Sequence, residues 1–455
     1  MRASAWTLCA AVVLPAIAAD GCFASNRQSG KAKDTGGESS PGDDAVRPGE
    51  DGTGPGEDGT SPGEDPGGPG EDPGGPGKDD GPELPPPCPT FSIASFAVDG
   101  GVRWARVGEE VKVSAVIASA GEQPSVSVTA APGVDGSQFE DLGGGKARLV
   151  LTDPPLRHRT TEVTFTLTVS SGGCERTRTA AVRLLGNVWV ADYSEGVVQV
   201  FRSDGTYLAQ GVPSGYLSQP WSLMELPGDR IVIGNRNKKA AEVYDLDGNH
   251  LFPFVTEDAM GQNVYSVYGA YTMLIHAPDG RVWVGGPREK VIVHDTDGKY
   301  LKTLELGFQS PSVESMIQLA DGNVVYASGS SIDWYLILID DKAEEIGRWG
   351  KNPQFPLQVE ALAHAPDGKV LVTGQPSWDG KGFVALLKQS GSLIAHSDPL
   401  PFRPERGLAA LGDRVLAYKG DQAGIALLGA DLKVEAETWN GLEGNWSAIL
   451  VLGGF

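Results

Sequence analysis

From residue 187 onward, apolar and polar positions repeat with a period of about 45 residues. Each repeat has a first strand, a turn rich in Gly and Asp, an apolar second strand, and a third strand that ends in another turn. The second strands begin at Asn187, Arg230, Arg281, Asn323, Lys369 and Arg414. First strands precede five of them, at residues 221–226, 272–277, 314–319, 360–365 and 405–410. The pattern predicts six similar sheets, of which the first lacks a first strand.

The C-terminal residues supply the missing strand. Trp446-Ser447 repeats Trp221-Ser222, and an apolar run follows both pairs. A last strand that pairs with the first sheet closes the sheets into a ring and removes the exposed edges. A period of this length is typical of propeller blades. Residues 186–455 are therefore predicted to form a six-bladed β-propeller.

A different β pattern precedes the repeats, in residues 88–185. Strand signals separated by polar or Gly-rich turns lie at residues 91–98, 110–119, 125–131, 147–152, 162–171 and 176–185. Apolar and polar residues alternate clearly in 111–116 and 163–169. This pattern predicts a β-sandwich of about 95 residues, and hence an all-β chain.

The first 21 residues have the pattern of an export signal. Arg2 precedes an uncharged apolar stretch over residues 5–19, which is too short to anchor a protein stably in a membrane. Ala19-Asp20-Gly21-Cys22 resembles a bacterial lipobox, which implies that Cys22 carries a lipid anchor. Ordinary secretion after Ala18 is the alternative. Phe23 after the cysteine is compatible with delivery to a bacterial outer membrane, and the side of that membrane stays open.

Composition separates residues 22–87 from the folded part. The whole chain of 455 residues has 62 Gly, 32 Pro and a net charge of -22. Residues 27–87 carry a net charge of -10 and five seven-residue units that begin with Pro-Gly. Such a segment is predicted to be a disordered, extended linker. The acidity disfavours nucleic acid as a partner.

Two of the four cysteines lie within or beside the predicted sandwich. Because an exported protein meets an oxidising compartment, Cys88 and Cys174 are predicted to form a disulfide. Val107-Gly108-Glu109 before a strand resembles the PKD or immunoglobulin-like modules of exported bacterial proteins. The resemblance implies a spacer or an adhesive unit, and a spacer is favoured because no aromatic patch or metal-ligand cluster stands out in this segment.

The repeats carry a second resemblance. Residues 187–192, followed by Val198–Phe201 and Asp204-Gly205, match the NHL repeat, and the Ala-Pro-Asp-Gly segments at 277–280 and 365–368 match its first turn. The repeats therefore resemble NHL-type and gluconolactonase-like six-bladed propellers. This resemblance implies a fold, whereas the same architecture hosts many functions.

Candidate functional residues come from aligning the repeats at the channel mouth, where first strands begin. The alignment places six residues at one equivalent position: Trp221, Thr272, Glu314, Glu360, Glu405 and Trp446. Glu314, Glu360 and Glu405 form a candidate calcium site, because calcium prefers oxygen ligands and gluconolactonase-like enzymes begin a first strand with a metal-binding Glu. The alternative is that these glutamates are merely solvated. Candidate ligand-binding residues are Trp221, Tyr271, Trp446, Arg236 and Trp378, with Tyr193 beside them.

No catalytic residue is predicted. None of the six histidines falls at the predicted mouth, and no Gly-x-Ser-x-Gly, phosphate-loop or His-Glu-x-x-His motif occurs. We expect an envelope-anchored binding or scaffold protein with a monomeric propeller that binds an envelope protein or glycan without a cofactor other than the candidate calcium ion. The alternatives are a calcium-dependent, gluconolactonase-like hydrolase and a purely structural envelope component.

Overall fold

The computed structural model describes residues 91–121, 123–254, 272–276, 280–285, 290–306, 313–328, 336–349, 358–375, 381–420, 424–436, 439 and 446–454. Within these ranges the chain is nearly all β, with two short 3-10 turns at Asp99–Gly101 and Pro366–Gly368. No helix in the described ranges is long and apolar enough to cross a membrane. The predicted signal, Cys22, the linker and Cys88 lie outside the described residues.

Residues 91–184 form two four-stranded sheets, here called the sheet pair. The strands are β1 Phe91–Val98, β2 Trp104–Ala105, β3 Glu110–Ser119, β4 Ser125–Ala131, β5 Ser137–Gly143, β6 Lys146–Leu151, β7 Thr161–Ser171 and β8 Cys174–Leu184. The strand orders are β1-β3-β6-β5 and β2-β8-β7-β4. The two sheets share one buried core, to which Val113 and Leu149 contribute from the first sheet and Phe165 and Val182 from the second. All six predicted strands are confirmed, whereas β2 and β5 lacked a sequence signal.

The following residues form six further four-stranded sheets in the described part, here called the ring. Sheet one has β9 Val188–Asp192, β10 Val197–Phe201 and β11 Tyr207–Val212; sheet two has β12 Pro220–Leu226, β13 Arg230–Asn235, β14 Ala240–Asp245 and β15 His250–Pro253; sheet three has β16 Thr272–His276, β17 Arg281–Gly285, β18 Lys290–His294 and β19 Tyr300–Glu305. Sheet four has β20 Val313–Gln318, β21 Val324–Ser328, β22 Leu336–Ile339 and β23 Glu345–Trp349; sheet five has β24 Gln358–Ala365, β25 Lys369–Gln375, β26 Phe383–Leu387 and β27 Leu393–His396; sheet six has β28 Pro404–Leu411, β29 Arg414–Lys419, β30 Ile425–Leu428 and β31 Val434–Ala436.

The last strand, β32 Trp446–Val451, completes sheet one. It pairs antiparallel with β9, so that Ile449 lies opposite Val190 and Val451 opposite Val188. The pairing predicted from Trp446-Ser447 is therefore confirmed. It leaves no unpaired edge on β9, the strand that begins the ring.

Burial changes from the inner to the outer strands of each sheet. Second strands such as β9 are buried along their whole length, because both of their surfaces pack against neighbouring sheets. Outer strands such as β15 and β23 are largely exposed. Continuous apolar runs therefore mark the second strands, as expected for strands that are buried on both sides.

The antiparallel order gives the ring two faces. We call the face with the turns between first and second strands the far face, and the face with the loops between second and third strands the mouth face. The sheet pair contacts the far face: the backbone N–H of Thr160 donates to the Leu452 carbonyl at 2.9 Å, and that of Val107 donates to Ser203 Oγ at 3.0 Å. Trp104 packs against the core between the last and first sheets.

Ion pairs join the sheet pair to the far face of the ring. They are Arg159–Glu225 (2.5 Å), Arg159–Asp229 (2.9 Å), Arg103–Asp367 (3.2 Å), Glu109–Arg414 (3.9 Å) and Asp153–Arg202. The Asn187 amide also donates to the carbonyls of Pro155 and Leu156. The contact is therefore both polar and apolar, and every described link is on the far face.

Candidate functional site

A β-bulge recurs at the mouth end of the innermost strands. The register of β12 shifts between Pro220 and Ser222, that of β20 between Val313 and Ser315, that of β24 between Val359 and Ala361, and that of β32 between Trp446 and Ala448. The extra residues are Trp221, Glu314, Glu360 and Ser447. A bulge leaves its extra residue outside the ladder and redirects its side chain, which makes these positions distinctive at the mouth.

The bulges correct the alignment made from sequence. Pairing to the second strands places Ser447, rather than Trp446, at the position of Trp221. In β16, Thr272 pairs with Gly285 as Ser222 pairs with Gly234, so Thr272 is also one position off. The prediction of one shared position was wrong at these residues, because the period of hydrophobic residues does not reveal an inserted residue.

Sheet six has one residue more at its bulge. Glu405, Arg406 and Gly407 lie between Pro404, which pairs with Lys419, and Leu408, which pairs with Ala417, whereas sheet two has only two residues between Pro220 and Leu223. Counted from Leu408, Arg406 stands where Trp221 stands in sheet two, and counted from Pro404, Glu405 does. The strands that carry Glu314, Glu405 and Trp446 are described, but the side chains of these three residues are not. Tyr271 and Trp378 lie outside the described residues.

An aromatic and cationic cluster surrounds Trp221. The rings of Tyr193 and Trp221 meet edge to face, with centroids 5.1 Å apart. The Arg236 guanidinium lies 4.6 Å from the Trp221 ring centroid, and that of Arg406 lies 4.0 Å from it. Arg236 Nη1 also donates to the Tyr193 hydroxyl at 3.0 Å. We call these four residues the mouth cluster. The predicted mouth residues Trp221, Arg236 and Tyr193 do lie together.

Strand ends hold the cluster. Tyr193 and Arg236 follow Asp192 and Asn235, which end β9 and β13 and are fully buried. Asp192 Oδ1 accepts the Ser194 and Glu195 N–H groups, and Asn235 Oδ1 accepts the Ser218 N–H. These bonds fix the loops that begin there. A polar residue at the end of a second strand, repeated in adjacent sheets, was a signal that the alignment of first strands did not use.

Glu360 is the predicted calcium ligand whose side chain is described. It is 8% exposed, and Arg403 Nη2 lies 3.3 Å from Glu360 Oε1. The guanidinium compensates the negative charge of a buried carboxylate, so the carboxylate does not need a metal ion for that purpose. The described residues contain no group of three His, Cys, Asp or Glu side chains that could hold a metal. The calcium site with Glu314 and Glu405 stays a prediction.

Described histidines lie away from the mouth cluster. His364 lines a cavity of about 670 Å³ at the far end of the first strands, together with Met224, Leu362 and Leu408. His294 is fully buried beside the far-face turn of sheet three. Burial lowers the pKa of both side chains, that of His294 to about 4. In the described part of the mouth, the chemistry is cationic and aromatic, without a histidine base.

No family model and no curated protein sequence matches the chain. Solved structures similar to it include a protein of unknown function from Bacteroides caccae (TM-score 0.44, 13% identity, 59% of this chain and 99% of that one). Another is the WD40 β-propeller domain of Doa1 (0.43, 14%, 59% and 83%). A third is a streptogramin B lyase (0.42, 12%, 56% and 80%). This chain's own succession of four-stranded sheets, joined by its last strand, is that of a β-propeller.

Proposed function

We propose that this protein is an envelope-anchored binding protein whose ligand contacts the mouth face of a six-bladed propeller. The observation that carries the proposal is the division between the two faces. The described contacts of the sheet pair all lie on the far face, whereas the mouth face presents Trp221, Tyr193, Arg236 and Arg406 side by side. Aromatic and Arg side chains are enriched where proteins bind their partners.

In this proposal the other segments position the propeller. Residues 91–184 act as an immunoglobulin- or PKD-like spacer, stapled by a Cys88–Cys174 disulfide and fixed to the far face through contacts such as Arg159–Glu225. Residues 22–87 act as an acidic tether, and Cys22 carries the lipid.

Two experiments test the proposal. Metabolic labelling with a radioactive fatty acid should label the wild-type protein and leave Cys22→Ser unlabelled. If neither protein were labelled, the proposed lipid anchor would be wrong. For binding, envelope extracts are passed over the immobilised chain from residue 23 and over Trp221→Ala. A specific partner should be retained by the wild type and by Arg178→Gln, which changes an exposed Arg of β8, but not by Trp221→Ala. Equal retention by all three would place binding elsewhere.

The alternative of a calcium-dependent hydrolase makes a separate prediction. It requires Glu360 to bind metal in spite of its ion pair with Arg403. Calcium titration of the wild type and of Glu360→Ala, followed by calorimetry, tests it. Tight binding that is lost in the variant would support the enzyme, whereas negligible binding in both would remove it.

A further inference from the structure

Arg236 is held in place by aromatic rings and one hydroxyl group. Its guanidinium lies 4.6 Å from the Trp221 centroid and 5.8 Å from that of Tyr193, and it donates to the Tyr193 hydroxyl at 3.0 Å. Its backbone N–H donates to the Gln219 carbonyl at 3.1 Å. Both ends of the residue are therefore fixed. A guanidinium fixed in this way loses little conformational entropy when it binds a ligand.

No carboxylate faces this guanidinium in the described part of the chain. Arg403, also on the mouth face, lies against Glu360 at 3.3 Å, and Arg159 on the far face contacts Glu225 at 2.5 Å. Arg236 is in no ion pair there, although it is partly buried. The rings attract its charge through their faces, but they do not accept its in-plane N–H donors. Its charge and its fork of donors are therefore available to an anion.

The surroundings reinforce the positive charge. Lys238 and Lys239 follow on the same loop, and the Lys238 ammonium donates to the Tyr216 carbonyl at 2.7 Å. The guanidinium of Arg406 lies over the same indole as Arg236, at 4.0 Å. Glu242 is the nearest acid along this hairpin, and it contacts both His250, at 2.9 Å, and the Lys238 ammonium, at 4.0 Å. A basic patch of this kind opposes the overall net charge of -22, which would otherwise repel anions.

A buried amide donor adjoins Arg236 in the chain. Asn235 is fully buried, its Oδ1 accepts the Ser218 N–H at 3.2 Å, and its Nδ2 has no hydrogen-bond partner in the described structure. A buried donor without a partner costs free energy that an incoming acceptor recovers. Asn235 thus places a buried amide donor one residue before Arg236 in the chain, at the mouth end of β13.

We propose that Arg236 is the receptor for an oxyanion, a carboxylate or a phosphate group, carried by the ligand of the mouth face. The planar fork of guanidinium donors matches the paired oxygens of such a group. Trp221 and Tyr193 position the guanidinium, and Lys239 adds long-range attraction. The inference rests on the proposed binding role of the mouth face and names the chemistry that this face recognises.

Calorimetric titration of the chain from residue 23 tests the inference with three probes at low ionic strength. Inorganic tripolyphosphate supplies phosphate, trigalacturonate supplies carboxylate, and neutral maltotriose is the blank. We expect wild type to bind one or both anions but not maltotriose, and to bind them more weakly as salt is added. Which anion binds better identifies the source of the oxygen atoms.

Variants then locate the site. Arg236→Gln should weaken the preferred anion by about 10- to 100-fold, as expected for the loss of charge-assisted hydrogen bonds. Arg236→Lys keeps the charge without the planar fork of donors, and its affinity should lie between those of wild type and Arg236→Gln. Arg178→Gln removes the same charge from the sheet pair and should bind like wild type. Equal melting temperatures of all four proteins would show that each variant is folded.

Two results would overturn the inference. One is a wild type that binds neither anion, and the other is an Arg236→Gln variant that binds them as tightly as wild type. Either result leaves the proposed binding role standing if the envelope partner is still lost with Trp221→Ala. Conversely, loss of anion affinity in Arg236→Gln, without any retained envelope partner, would establish the anion site and count against the broader role.

Discussion

The two faces of the ring differ in how their charged side chains are used. On the far face, Arg159 contacts both Glu225 and Asp229, and further ion pairs join the sheet pair to neighbouring sheets. On the mouth face, Arg236 contacts rings and a hydroxyl group instead of a carboxylate. Charges that are already neutralised hold a structure together, whereas a positioned charge without an ion partner is available for recognition.

This difference matches the local backbone on each face. Far-face turns are short Asp- and Gly-containing turns, in which Asp245 and Asp295 each accept backbone N–H groups of their own turn. Such turns repeat from sheet to sheet and form a regular surface that another domain can cover. The mouth end carries bulges and side chains of unlike chemistry in successive sheets. The far face, which the sheet pair contacts, therefore has a regular backbone, whereas the mouth face, which holds the candidate site, varies from sheet to sheet.

The largest effect is expected from deletion of residues 446–455, because β32 runs from one face to the other. The deletion removes the buried side chains of Ile449, Val451 and Leu452 and exposes β9. At roughly 1.5–3 kcal/mol for each buried aliphatic side chain, the loss approaches the whole stability of a typical domain. We expect an insoluble or unfolded ring by circular dichroism, whereas deletion of residues 454–455 alone should keep the fold. A folded, soluble protein after the longer deletion would contradict the closure.

How much of this was predictable follows from what hydrophobic periodicity encodes. The second strands were evident because burial on two sides demands continuous apolar runs. The closing strand was evident because Trp446-Ser447 repeats Trp221-Ser222. β5, with the burial pattern of a mostly exposed strand, has no such demand and was missed. The bulges were equally invisible, and so Thr272 and Trp446 were each misaligned by one position. The mouth cluster depends on contacts between residues that are distant in sequence, such as Arg406 over Trp221, which no local pattern encodes.

A second prediction concerns acid and the far half of the ring. Burial lowers the pKa of His294 from 6.5 to about 4. Between these values the unfolded chain binds a proton that the folded protein does not, so stability is fully present above pH 6.5 and falls as the pH drops toward 4. The loss at pH 4 is about 3 kcal/mol. Urea unfolding of His294→Gln should show a shallower loss over this range than wild type.

The matched control is His396→Gln, which changes an exposed histidine on β27. It should keep the wild-type dependence on pH. Binding of trigalacturonate at the mouth should not change between pH 8 and 6.5, since Arg236 and the carboxylates of the probe stay charged throughout. If the free energy of unfolding of His294→Gln fell with pH as steeply as that of wild type, this buried imidazole would not determine the acid sensitivity.

A third prediction compares two glycines with positive φ, one on each face. Gly412 (φ +66) lies against Trp104, and an added Cβ would be 2.9 Å from the indole Cγ, whereas Gly215 (φ +91) has nothing within 4 Å. Both alanine variants incur backbone strain of about 1 kcal/mol, and Gly412→Ala adds a clash. Trp104→Ala should itself cost about 2 kcal/mol through lost packing.

A double-mutant cycle separates these contributions. In Trp104→Ala the indole contacts with residue 412 disappear and only that with Cβ of residue 104, at 3.0 Å, remains, so the two changes should sum to less than their separate costs by up to about 1 kcal/mol. Trp104→Ala combined with Gly215→Ala should be additive. Equal coupling in both pairs, measured by urea unfolding, would contradict a specific contact between the sheet pair and the far face.

The smallest effects are expected from the far-face ion pairs, and they should follow burial. The side chains of Arg159 and Glu225 are 33% and 22% exposed, and those of Arg103 and Asp367 are 66% and 51% exposed. Arg159→Gln should cost about 1 kcal/mol, since Glu225 keeps only the Gly453 N–H at 2.6 Å. Arg103→Gln should cost less than Arg159→Gln, because solvent screens that pair. Added salt should shrink both costs, and neither variant should alter anion binding at the mouth. If either variant weakened that binding as Arg236→Gln is expected to, the two faces would be coupled, and the division between docking and recognition would fail.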